Sequence, residues 1–93
     1  MKAIEQFKSY QKEMLDVFSK KNHDYSNNTL DNFKSCEKFG IEPYKGIVVR
    51  MSDKFNRLTN LLGKEGKVLD ENLNDTLIDI ANYAIICLML KEK

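Results

Sequence analysis

Four polar residues, Glu71, Asp75, Asp79 and Asn82, recur at helical spacing in a stretch whose other residues are mainly apolar. At 100° per residue they fall within an arc of roughly 80° and so form one surface. A carboxylate sheltered by apolar neighbours is costly unless it is paired with a cation, hydrogen-bonded, metal-bound or protonated. Carboxylates stacked turn upon turn on one helix, facing Asp53 and Asn56 on another, suit Mg²⁺ held between oxygen ligands. Asp53, Glu71 and Asp75 are the candidate metal ligands on this reading. Asp75 and Asp79 are the candidate catalytic acids if the chain is an enzyme.

A second constellation is cationic: Lys20, Lys21 and His23, then Arg50, Lys54 and Arg57. Arginine donates a parallel fork to phosphate oxygens and lysine adds a point charge. With Tyr25 to stack on a base, the candidate nucleotide-binding residues are Lys21, His23, Tyr25, Arg50, Lys54, Arg57 and Asn82. The plainer alternative is a solvated face. There Arg50 with Asp53, and Asp53 with Arg57, form intrahelical ion pairs worth a few tenths of a kcal/mol each, while Asp75 and Asp79 pair with Arg50 or Arg57 across a helix interface. A single histidine, no glycine-rich phosphate loop and no cysteine–histidine ligand set exclude most other site chemistries.

The elements that must carry these residues are all helical. Ile4, Phe7, Met14, Leu15 and Phe18 predict an amphipathic helix over 2–21. The turn-forming run His23 to Asn28 predicts a loop. A short helix capped by Asn28 or Thr29 ends at Gly40, and Pro43 suits the start of the next. That third helix runs from about Tyr44 to Leu62, with Ile47, Val48, Met51, Phe55, Leu58 and Leu62 on its apolar face and Gly63 beyond its end. After a turn through 64–67, Asp70 is the expected cap of the last helix. No β-type alternation competes. The expected fold is all-α: one domain over 1–93, a small bundle of three long helices and one short helix.

The chain has 93 residues, 42% hydrophobic and 31% charged, with a net charge of +1. Such a balance gives no case for polymeric nucleic acid. A lone chain of this size buries only about 60–65% of its potential surface, and the apolar wrap of the last helix exceeds what a monomer covers, so a homodimer or higher even oligomer is expected. Cys36 and Cys87 lack paired metal-type spacing and read as reduced thiols. The apolar run Ile80–Leu90 is short of the ~20 residues a bilayer span needs, and the N-terminus has no signal-peptide core. A cytoplasmic protein without a membrane segment is expected.

The segments Lys20-Lys21-Asn22-His23-Asp24-Tyr25, Asp31-Asn32-Phe33, Arg50-Met51-Ser52-Asp53-Lys54-Phe55-Asn56-Arg57-Leu58 and Glu71 to Ala84 resemble the phage-associated nucleotide-modification domain 1 family over about residues 18–88. More distantly, the last two helices are similar to the all-α nucleoside triphosphate pyrophosphohydrolases, the MazG superfamily. Those enzymes carry a Glu-Glu-x-x-Glu helix and then Glu-x-x-Asp followed seven residues later by Asn, and they use Mg²⁺ to split the α–β phosphate bond. Asp75 and Asn82 match the Asp and the Asn. Ser52-Asp53-Lys54-Phe55-Asn56 keeps one acid of the first motif, and Asn72 stands where the second has its Glu, with Glu71 one place earlier. Each lost carboxylate weakens Mg²⁺ against its own hydration shell.

The resemblance therefore implies a phage protein in the bacterial cytoplasm with a nucleotide pocket, one that binds or sequesters a nucleotide or a nucleotide-derived messenger such as those of host immunity, in preference to hydrolysing it. Mg²⁺-dependent pyrophosphohydrolysis is the alternative, and a non-catalytic helical interaction module the second alternative.

Overall fold

The computed structural model describes residues 2–25, 30–64 and 67–92, with side chains described for most of them. Among these the chain is all-α: α1 (Lys2–Tyr25), two 3₁₀ turns (Asp31–Phe33 and Ser35–Phe39), α2 (Pro43–Leu61) and α3 (Lys67–Lys91). The expected short helix is two 3₁₀ turns, and its predicted cap at 28–29 lies outside the described residues. Gly40 closes the second turn with φ +75°, a left-handed conformation that costs glycine little. Its N–H and that of Ile41 return to Glu37 and Cys36 carbonyls at 3.0 and 3.2 Å. Glu42 then runs extended and Pro43 opens α2, where its missing N–H is harmless.

Several expectations change. The predicted loop begins later, because α1 continues through Tyr25. Helix α3 begins at Lys67, so Asp70 lies inside its first turn and is not its cap. Gly63 lies just beyond the end of α2, as expected, and the helix closes on Leu62 in an ordinary right-handed conformation.

Helix α2 packs along α3, and α1 lies more sparsely against α3. The core is a small cluster of Leu30, Ile47, Ile86 and Leu90, flanked by Phe18, Phe33, Tyr44, Met51, Tyr83 and Cys87. Cys87 fills the core as a small residue, and its thiol points to the Tyr44 carbonyl at 3.5 Å. The chain around Cys36 passes close to α2 at Gly46: a Cβ there would meet Cys36 Sγ at 2.8 Å.

The buried face of α2 is rotated from the predicted one. Ile47 and Leu61 are buried, and Met51, Lys54 and Leu58 are half-buried between them, while Val48, Phe55 and Leu62 face outward. The rotation brings Lys54 into the seam.

Nor is α3 wrapped on all sides. Ile78, Ile86 and Leu90 are buried, yet Leu77, Ile85 and Leu88 are exposed, because two neighbouring helices cannot surround a third. Over Asn72–Lys91 it is long and apolar enough, by length and composition, to cross a membrane, a longer span than Ile80–Leu90 suggested. That property is shared with core helices of soluble proteins.

Candidate functional site

Three helices converge on Asp79. Lys21, in the last turns of α1, donates to Oδ1 at 2.9 Å, and Lys54, at mid-length in α2, donates to Oδ2 at 2.9 Å. The Asp79 side chain is 16% exposed, Lys54 28% and Lys21 51%. Lysine suits this position because its aliphatic stem lies along apolar surface while the ammonium reaches the seam's edge. Burial pushes the Asp79 carboxyl up, but the hydrogen bonds and charges of both lysines outweigh it and hold the group below its ordinary value. Asp79 is therefore ionised at neutral pH, with an ammonium on each oxygen.

This pairing corrects one expectation: Asp79 is held by lysines and not by Arg50 or Arg57. Arg50 instead lies over the Phe33 ring, 5.1 Å from its centroid. Arg57 and Asp53 are exposed on α2, and among the described residues neither forms an ion pair, so the Arg50–Asp53 and Asp53–Arg57 pairs are not made. Arg50, Lys54 and Arg57 still share one flank of α2, within an arc of about 60°.

Asn82 is absorbed by structure. Its Nδ2 donates to the Met14 carbonyl at 3.1 Å, tying α3 to the middle of α1. Asp75, unlike Asp79, is exposed. It lines a hollow of about 210 Å³ between α1 and α3 together with Glu13, Val17, Lys21, Ile78 and Asp79. The side chains of His23, Tyr25 and Glu71 lie outside the described residues.

Of the proposed metal set, Asp53 and Asp75 are both exposed, and the Glu71 side chain lies outside the described residues. Among the described residues no three His, Cys, Asp or Glu side chains come within reach of one ion, and Asp79 already has two cations.

One polar residue escaped notice in the sequence. Thr76 is 2% exposed and satisfies its hydroxyl by donating to the Asn72 carbonyl at 2.7 Å. Threonine four residues after a carbonyl on its own helix can always do this, so the signal was local but not distinctive.

Ammonium groups from two helices thus meet on the Asp79 carboxylate of a third, with Arg50 and Arg57 one turn from Lys54 on α2. No curated protein and no solved structure matches it. A family model does match, that of nucleotide modification associated domain 1, over residues 21–90. The matched span begins at Lys21 and takes in Lys54 and Asp79, and with most of its length covered the chain belongs to the nucleotide modification associated domain 1 family.

Proposed function

We propose that this chain is a phage-type nucleotide-binding protein with a MazG-like helical site, working as a homo-oligomer in the bacterial cytoplasm and holding its ligand without hydrolysing it. The observation that carries the reading is the convergence of Lys21 and Lys54 on the two oxygens of Asp79. Two ammoniums spaced to grip a carboxylate are also spaced to grip two oxygens of a phosphate. Lysine carries three donors, so Lys54 can meet a phosphate while keeping Asp79. Arg57 on the same flank adds a fork toward solvent, where a second phosphate or a sugar would lie.

Binding is favoured over hydrolysis by the chemistry of the donors. In the pyrophosphohydrolase reading the candidate acids must be open to Mg²⁺, yet the most sheltered candidate, Asp79, is neutralised by lysines. A nucleotide-derived messenger of host immunity is the class of ligand that such a small, cation-lined, non-hydrolytic site would withhold. The exposed Asp75 beside Glu13 and Asp79 keeps Mg²⁺-dependent pyrophosphohydrolysis as the second reading.

The experiment offers nucleoside triphosphates, cyclic nucleotides and ADP-ribose-type nucleotides to the pure protein with and without Mg²⁺, followed by chromatography of retained ligand and products. Intact ligand retained without Mg²⁺, and lost in Lys54→Met, is the expected result. Pyrophosphate release that disappears in Asp75→Asn would replace this reading with the hydrolase. Absence of both retention and turnover of any nucleotide would overturn both readings, leaving a helical interaction module.

A further inference from the structure

We propose that the open side of the α1–α3 pair is where a second copy of this chain docks, each copy laying its α1 into the other's groove. The inference rests on the self-association in the proposed function and assigns it a surface.

The molecule exposes too much for its mass. Its accessible surface is 7295 Å² at 10.8 kDa, whereas a folded monomer of that mass exposes about 5,500 Å². The excess, on the order of 1,700 Å² per chain, matches what each subunit contributes to the larger permanent homodimers. The shape agrees: the radius of gyration is 14.8 Å, against about 12 Å for a compact chain of this length.

The N-terminal half of α1 contributes to it. Residues 2–13 are all exposed although they are helical, and a helical stretch that short is marginal in water without packing. Between α1 and α3 lies a groove of about 400 Å³, lined by Phe7, Met14 and Leu15 on one wall and Ile85 and Met89 on the other. Ile4, Phe7, Leu15 and Ile85 are each about half exposed or more. At 150–250 Å² for an aromatic side chain and somewhat less for an aliphatic one, these four leave roughly 400 Å² of apolar surface in water, about half of the ~800 Å² per partner in a standard interface.

The groove asks for an amphipathic helix with bulky apolar groups at i, i+3 and i+7. Helix α1 itself carries Ile4, Phe7 and Gln11 at those intervals, two apolar positions and one polar, all exposed. A two-fold contact buries the same patch twice and closes, so both unsupported α1 segments are covered at once. The outward Val48, Phe55 and Leu62 of α2 form a separate face with no groove beside it among the described cavities.

The test is sedimentation equilibrium of the full chain, unliganded, over a wide concentration range. Wild type is expected as a dimer. Phe7→Glu and Leu15→Glu on α1, and Ile85→Glu on the opposite wall, should each weaken association about 100-fold, while Val48→Glu on α2 leaves it unchanged. Circular dichroism monitors folding, and the variants on two different helices guard against one simply failing to fold. A monomeric wild type would overturn both the dimer and this face. A dimer indifferent to all three groove variants would leave association standing and remove only the face. Flotation of a monomeric wild type with phosphatidylglycerol–phosphatidylcholine vesicles, abolished by Phe7→Glu, would reassign the groove to lipid. None of these outcomes depends on nucleotide binding, so failure of that reading is scored separately.

Discussion

Lys54 Nζ lies 2.9 Å from Asp79 Oδ2, and the lysine's half-buried position on α2 makes this the better sheltered half of the two-lysine clamp. Lys54→Met should therefore destabilise the fold by about 1 kcal/mol, and Lys21→Met, whose ammonium is half in water, by only a few tenths. Urea unfolding of both variants and of each combined with Asp79→Ala measures the coupling. Equal costs for the two lysines would contradict the burial difference.

Acid should weaken the same contact. The folded Asp79 carboxyl is held below its ordinary value, so its contribution is present at neutral pH and down to about pH 4, and is lost as pH falls through the lowered folded value. Thermal melts of wild type and Asp79→Asn should differ at pH 7 and converge in acid. A gap that widens on acidification would reverse the sign.

Nucleotide affinity should separate from stability at Arg57. It is exposed and unpaired among the described residues, so Arg57→Met should leave the unfolding midpoint within about 0.5 kcal/mol of wild type. The same change should weaken nucleotide binding about tenfold or more, the loss of one charge-assisted contact, by titration calorimetry.

Gly46→Ala tests the approach of Cys36 to α2. Alanine in place of glycine inside a helix ordinarily gains about 1 kcal/mol, but the new methyl would sit 2.8 Å from Cys36 Sγ. The gain should vanish in wild type and return in a Cys36→Ala background. Identical effects of Gly46→Ala in both backgrounds would show that the thiol moves aside without cost.

Ile47 is 1% exposed at the centre of the core, and Ile47→Ala should cost about 2–4 kcal/mol by denaturant unfolding. In a domain this small that is a large part of the total stability.

The helices were legible in the sequence because local signals fix them. Gly40 and Pro43 punctuate the chain where the 3₁₀ turn ends and α2 begins. The rotation of α2 was not legible, because Val48, Phe55 and Leu62 are as apolar as the residues that are buried. Only packing against α3 decides which side turns inward. Lys54 was missed as a seam residue for the same reason. Lys21, Lys54 and Asp79 each stand out in the sequence, but separately, the lysines as phosphate ligands and Asp79 as a catalytic acid. Their meeting joins positions 58 and 25 residues apart, beyond the reach of any helical spacing rule. Asn82 looked like part of a ligand-facing stripe, and its amide instead serves the Met14 carbonyl.

That amide also acts as a register pin. Sliding α1 along α3 by one helical turn, about 5.4 Å, would break the Asn82–Met14 bond and the Lys21–Asp79 pair together. Tilting only the first turns of α1 breaks neither. Helix α1 is thus fixed in axial position at its C-terminal half while its N-terminal half is left to be set by whatever packs against it, as a hinged strut is.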